Sequence, residues 1–335
     1  MFCRYTSWLS FSRARYQEKI LLLKWVTELE KNPYFDPKPN LGNVMRLILR
    51  ILMLSLLFVH CAQEPEGPLS ATPATVAPKG KLFIIGGGKR PPALVQALVE
   101  ASGIEKEGYG IILPMSSGEP DTSAFYAIKQ FTDLGLSPSQ FSSYDFRKGD
   151  YPEAAIDSLR NARLIYITGG DQNRFMEVVA NSPVYDAIHE AYQSGATIAG
   201  TSAGAAVMSK KMITGNERRH PEYTGNFRTI ESNNMEIAEG LGLLNTAIVD
   251  QHFIWRMRMN RLITVVLDHP GQTGIGIDES TAILVENGNL ATVFGGYQVI
   301  TLRHRSGQTT VQDSLLGGRG LELNVLLPGD TLHLN

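Results

Sequence analysis

Thiol chemistry is almost missing from this sequence. Its 335 residues include two cysteines, Cys3 and Cys61, too few for a disulfide framework or a thiolate-rich metal site. Both precede the region that reads as a folded domain, which excludes a cysteine nucleophile there. A net charge is missing too. Because 31 basic side chains face 33 acidic ones, no global field draws the chain to nucleic acid or an anionic membrane, and charge recognition has to be local. No His-Glu-x-x-His spacing occurs, since His189-Glu190 is followed by Ala191-Tyr192-Gln193; metal catalysis has no support, and no metal or cofactor is implied. No apolar run reaches the ~20 residues that cross a bilayer, and no repeat recurs at a fixed period.

What is present is ample material for a buried core, 43% apolar residues, in a chain long enough for one large domain or two small ones. The N-terminal region reads as targeting sequence. From Met45 the chain runs through Arg46 and Arg50 into an apolar stretch, Ile51 to Val59, and then Cys61, the layout of a secretory signal. A cysteine after a leucine-rich run resembles a bacterial lipoprotein signal with a lipid anchor at Cys61, although His60 stands where that class carries a small residue. Residues 1–44 lie upstream, where they would obstruct such a signal, so the expected start is Met45 and the expected destination is periplasm, outer membrane or exterior. A cytosolic protein with an amphipathic N-terminal helix is the alternative. Residues 62–78 are rich in Pro, Ala, Thr and Glu, a composition suited to a tether.

From residue 79 the texture alternates. Lys81–Ile85, Tyr109–Leu113, Phe141–Tyr144, Leu164–Thr168, Ala196–Ala199 and Ile248–Asp250 are short apolar runs, and helix-compatible segments such as Pro92–Ala101, Ser123–Leu134 and Asn173–Val179 separate them. This rhythm predicts a doubly wound, mainly parallel sheet with helices on both faces, a three-layer α/β domain over 79–302. Ligands of such sheets sit beyond the carboxyl ends of the strands. Ala282–Val285 and Leu290–Phe294 flank an Asn287-Gly288 turn and predict a hairpin. The tail, 303–335, reads as β-rich, either packed on the domain or forming a small appendage.

The strand Ala196–Ala199 runs into Gly200-Thr201-Ser202-Ala203-Gly204 and then a helix-compatible stretch. Gly-x-Ser-x-Gly at a strand-to-helix turn lifts a serine hydroxyl above the sheet. The bare pattern is weak, and the same residues also suit an ordinary tight turn; the strand-turn-helix placement favours a nucleophile. Such a serine needs a base. His252, in Asp250-Gln251-His252-Phe253, follows a strand directly, whereas His189 is mid-helix, His220 is in a charged loop and His269 precedes a proline. The group that orients the imidazole is Glu279, in the Gly274-Ile275-Gly276-Ile277-Asp278-Glu279 run, with Asp278 its close competitor. The oxyanion donors are the amides of Ala203, which follows the nucleophile, and Gly170, after the strand Leu164–Thr168; both also have a plain role in turns.

Arg256, Arg258 and Arg261 lie four, six and nine residues after His252, and Arg258 and Arg261 share a face if the segment is helical. Guanidinium forks match carboxylates, although a solvated basic face is the plainer account. Asp171, Gln172, Asp250 and Gln251 are candidate acceptors for a guanidinium or holders of a scissile amide, with helix capping as the alternative for Asp171 and Asp250. Gly86-Gly87-Gly88 lacks dinucleotide-site spacing and reads as a sheet-end turn near the site. The loop from Asn216 to Arg228 reads either as a cover over the pocket or as an exposed charged loop.

Taken together, Gly200–Met208, Gly169-Gly170-Asp171-Gln172, Asp250–Phe253 with its three arginines, and Gly274–Glu279 resemble the serine peptidase family of cyanophycinase and peptidase E, over roughly residues 79–302. The resemblance implies a class I glutamine-amidotransferase-like fold with a β-rich C-terminal segment, a Ser202-His252-Glu279 triad and a homodimer. It also implies a substrate, either cyanophycin, a polyaspartate carrying arginine on each side chain and cut to β-aspartyl-arginine, or short aspartyl peptides. A non-catalytic binder of β-aspartyl peptides is a further alternative, against which the intact triad argues.

Overall fold

The computed structural model describes residues 78–222 and 224–334. The expectations about the signal, the Cys61 anchor and the residues before 78 lie outside it. Among the described residues no helix is long and apolar enough to cross a membrane.

The first part of the domain alternates strand and helix as the sequence predicts. Strand β1 (Lys81–Ile85) leads to helix α1 (Pro92–Ser102), β2 (Gly110–Leu113) to α2 (Pro120–Thr132), and β3 (Phe141–Ser143) to α3 (Glu153–Arg160). Then come β4 (Leu164–Ile167), α4 (Gln172–Val179), α5 (Pro183–Ser194), β5 (Thr197–Thr201) and the single turn α6 (Ala203–Ala206). Helix α2 begins three residues before the expected Ser123 because Pro120 occupies its first turn, where a preset φ and a missing N–H cost nothing. The strands β1, β5, β4, β2 and β3 pair in that order, all parallel.

The apolar runs of these strands are continuous because both faces are covered. Along β1, Leu82 and Ile84 enter a core with Ile156 and Leu159 of α3 and Val184 and Ile188 of α5. The alternate residues Phe83 and Ile85 enter a second core with Leu94 and Leu98 of α1 and Phe131 of α2. Burying each such side chain contributes about 1.5–3 kcal/mol, and the period-two alternation holds the sheet between two helical layers.

Beyond α6 the chain forms a hairpin of β6 (Lys211–Glu217) and β7 (Met235–Glu239), then β8 (Ala247–Gln251), α7 (Met259–Asp268) and β9 (Thr273–Ile277). Strands β8 and β9 pair in parallel but belong to a second, four-stranded sheet. Strands β10 (Thr281–Glu286) and β11 (Leu290–Gly295) return to the main sheet as the expected hairpin, β10 antiparallel to β1. Asn287 and Gly288 have φ of 53° and 74°, the left-handed pair that a tight hairpin turn requires.

The boundary expected at residue 302 falls inside β12 (Val299–His304). After the β13 (Thr309–Gln312) and β14 (Leu315–Gly318) hairpin, β15 (Leu321–Leu326) pairs with β12 at the edge of the second sheet. Strand β16 (Thr331–His333) pairs with β11 and becomes an edge strand of the eight-stranded main sheet. The tail therefore joins both sheets.

Candidate active site

Ser202 lies between β5 and α6 with φ of 54° and ψ of −111°, a conformation that costs a non-glycine residue free energy and recurs where a side chain is held for chemistry. The glycines of the motif have steric reasons. A Cβ on Gly200 would stand 2.2 Å from the Gly204 carbonyl oxygen, and one on Gly204 would stand 2.3 Å from the carbonyl oxygen of Ile167. The sharp turn exists because strand and helix approach more closely than any larger residue allows.

The Ser202 hydroxyl is 2.9 Å from His252 Nε2, and His252 Nδ1 is 2.6 Å from Glu279 Oε1. A carboxylate is acceptor-only, so Nδ1 carries the proton and Nε2 is left to accept from the hydroxyl. Burial pushes the His252 pKa below its ordinary value and Arg256 and Arg258 push the same way, while the hydrogen bond to Glu279 opposes them. The imidazole is thereby kept in its neutral, basic form.

These residues, 50 and 27 positions apart in the chain, are drawn together by consecutive carbonyls at the end of β1. Ile85 O accepts from Ser202 N–H at 3.1 Å, Gly86 O from His252 N–H at 2.7 Å and Gly87 O from Ser280 N–H at 2.9 Å. The glycine turn also lies directly against the triad. A Cβ on Gly87 would be 2.4 Å from His252 Cε1, and one on Gly88 2.6 Å from Glu279 Oε2. The sequence suggests a turn near the site; that one turn anchors all three segments is visible only in the fold.

Asp278, the competing acid, points away from the imidazole. Its Oδ1 accepts the N–H groups of Ile254, at 3.1 Å, and Trp255, at 2.9 Å. It thus fixes the chain just after His252, which itself has φ of 49°.

Ala203 opens α6, so its amide precedes the first intrahelical bond. Gly169 packs on the nucleophile, its would-be Cβ 3.3 Å from the Ser202 Cβ. Gly170 follows with φ of 142°, and a Cβ there would meet the Ser116 carbonyl oxygen at 2.1 Å. That carbonyl accepts from Asp171 N–H at 2.8 Å.

A cavity of about 220 Å³ opens beside Ser202, and it gathers Gly170, Asp171, Gln172, Gln251 and all three arginines. The side chains differ in how far they are committed. Asp171 caps α4, accepting from Asn173 N–H at 2.8 Å and Arg174 N–H at 3.4 Å. The Gln172 amide donates to the Ile213 and Thr214 carbonyls at 3.0 and 2.7 Å. Gln251 Oε1 accepts from Arg258 at 2.8 Å.

Asp250 accepts a guanidinium, as the sequence suggests, but one from within the chain, and it caps no helix. Both its oxygens take the Arg261 fork, Nε donating to Oδ2 at 2.8 Å and Nη2 to Oδ1. Arg258 and Arg261 are themselves buried, and Phe227 lies under the Arg261 guanidinium at 4.6 Å. Asn260 Nδ2 donates to the Phe227 carbonyl at 2.9 Å, so this part of the 216–228 loop packs onto the arginine segment. Arg256 is exposed, and its guanidinium makes no ion pair among the described residues.

A nucleophile on a strand-to-helix elbow, a neutral histidine and an orienting carboxylate define a serine-type hydrolase of an α/β fold. Residues 112–293 match the model of peptidase family S51, and the chain belongs to that family: it is a serine-type peptidase. It is 33% identical over 267 residues to a cyanophycinase of Trichormus variabilis, covering 77% of this chain and 87% of that protein. With a cyanophycinase of Thermosynechococcus vestitus the identity is 29% over 266 residues, covering 76% and 80%. The crystal structure of a peptidase from an acI-B1 actinobacterium superposes with a TM-score of 0.56 at 23% identity, covering 76% of this chain and 96% of that one, and shares its fold.

Proposed function

We propose that this peptidase hydrolyses cyanophycin to β-aspartyl-arginine through an acyl-enzyme. His252 Nε2 takes the Ser202 proton as Oγ attacks an aspartyl backbone carbonyl. The Ala203 and Gly170 amides receive the oxyanion, and the imidazolium, held by Glu279, returns the proton to the leaving nitrogen. Water then releases the acyl group by the same route.

The observation that carries the substrate is the arginine-lined cavity beside Ser202. Each unit of the polymer presents an arginine α-carboxylate, and exposed Arg256 offers it a cation. A peptidase E-like aspartyl dipeptidase is the second reading, since a single aspartyl residue also presents a carboxylate to the same cavity.

The test is incubation of the full chain with insoluble cyanophycin and analysis of the soluble products. β-Aspartyl-arginine that disappears in Ser202→Ala supports the proposal; intact polymer with cleavage of aspartyl dipeptides overturns it in favour of the second reading. Binding without any product would indicate a non-catalytic receptor.

Two further proposals concern the setting. Export is read from the Met45–Cys61 pattern and is tested by mass spectrometry of the mature N-terminus, where an intact Met1 would refute it. A homodimer is read from the family resemblance and is tested by light scattering on the purified protein, where a monomeric mass would refute it.

A further inference from the structure

Exposed aromatic side chains are confined to one region of the protein. Among the described residues four aromatic rings are largely open to solvent: Trp255 at 72%, Phe125 at 61%, Tyr126 at 58% and Tyr297 at 52%. The other described aromatic side chains are buried or half-buried. A single exposed ring is ordinary, but four that share one region mark a binding face.

Each of the four is tied to the triad or to the cavity at Ser202. Trp255 comes three residues after His252, and its N–H donates to Asp278 Oδ1 at 2.9 Å. Tyr297 N–H donates to the Thr281 hydroxyl at 3.0 Å and Gly296 N–H to the Ser280 carbonyl at 3.1 Å, which fastens Tyr297 to the turn after Glu279. Tyr126 lines a cavity of about 410 Å³ that Ser202 and His252 line as well. Phe125 packs edge-on against Tyr126, their ring centroids 5.3 Å apart. The backbone that carries Trp255 is further held by Arg256 N–H, which donates to the His252 carbonyl at 2.9 Å, and by Arg258 N–H, which donates to the Phe253 carbonyl at 3.0 Å. A tryptophan or tyrosine on a fixed backbone has only two side-chain torsions to lose, so covering it costs little entropy.

Whatever covers these rings has to leave the site open. A second copy of the chain, or another folded partner seated on them, would close the cavity through which Ser202 is reached; the substrate itself does not. Cyanophycin presents a guanidinium on every unit, and aromatic faces attract guanidinium groups, tryptophan most strongly. Trp255 also precedes exposed Arg256 directly, so adjacent positions offer a ring to a guanidinium and a fork to a carboxylate.

We propose that Trp255, Tyr297, Phe125 and Tyr126 form an aromatic platform at the active site that docks the guanidinium groups of polymer units beyond the one being cut. The proposal rests on the polymer reading of the site and adds to it how an insoluble chain is held there. The rings stand on α2 and on the turns after His252 and Glu279, so several units are engaged at once and weak contacts reinforce one another.

The test is co-sedimentation with insoluble cyanophycin of the full chain carrying Ser202→Ala, so that nothing is cut. Trp255→Leu with Tyr297→Leu removes the ring faces but keeps apolar bulk, and binding should weaken by roughly tenfold. Trp255→Phe with Tyr297→Phe keeps the faces and should hold the affinity within about threefold. Phe125→Leu with Tyr126→Leu, on a separate element, should weaken binding in the same sense, and unchanged melting temperatures show that the folds are intact. Leucine and phenylalanine pairs that bind alike overturn the proposal. So does a dimer, seen by light scattering, that the leucine pair alone dissociates, since the rings would then belong to an interface between copies. A Ser202→Ala chain that does not sediment with cyanophycin refutes the polymer reading instead. The platform is then judged on immobilised polyarginine, where the same ring-dependent binding must appear for it to stand.

Discussion

Asp278 and Glu279 are neighbours in the chain, and their carboxylates serve the same histidine in different ways. Glu279 accepts from the imidazole at 2.6 Å, while Asp278 holds the Ile254 and Trp255 amides just beyond His252. One carboxylate sets the tautomer and the other sets the backbone that carries the ring.

The two are separable by mutation. Glu279→Gln preserves the shape but lets the amide stabilise the wrong tautomer, and turnover should fall by about 10⁴. Asp278→Asn keeps an acceptor oxygen for the two amides and should stay within roughly tenfold of the wild type. Steady-state kinetics on both variants decide the matter, and the reverse ranking would make Asp278 the triad acid.

The direction of the His252 shift sets a pH dependence. Burial, joined by Arg256 and Arg258, lowers its pKa from 6.5, and only the neutral ring accepts the serine proton. The acid limb of kcat/KM should therefore fall below pH 6.5, with activity retained at that pH. Arg256→Gln removes a positive charge that disfavours the imidazolium, so the limb should move to higher pH. A limb that stays in place would show that Arg256 takes no part in the shift.

The buried Asp250 and Arg261 pair is expected to matter for stability. Arg261→Ala leaves the Asp250 carboxylate buried without its fork, and losses of about 3–5 kcal/mol are typical of such a change. Arg256→Ala, on the exposed neighbour, should leave the melting temperature almost unchanged and raise KM. Thermal denaturation and kinetics of the two variants test the contrast, which would fail if both melted alike.

Gly87 tests the hub at the end of β1. Its φ is 115°, and an added methyl would stand 2.4 Å from the His252 ring. Gly87→Ala should displace the imidazole and cost about 10² or more in turnover, the scale of an ångström of misplacement. A crystal structure of the variant would show the moved ring; near-normal activity would mean that the loop yields at no cost.

The sequence alone determined a good deal, because some signals are local. Apolar runs of strand length between helical stretches specify a parallel sheet with two covered faces, and Asn287-Gly288 specifies its hairpin by the dihedral angles those residues tolerate. Gly200–Gly204 marks the elbow for a steric reason, since no larger residue fits where strand and helix cross. Chain position at a strand end was enough to single out His252 and to narrow its acid to Asp278 or Glu279.

What only the tertiary structure decided depends on distance in space between residues far apart in the chain. Asp278 and Glu279 are separated in role by which way each side chain turns at the end of β9. Asp250 looks available in sequence but is consumed by Arg261, eleven residues on. The tail joins both sheets because β15 pairs along β12 of the second sheet and β16 along β11 of the main one.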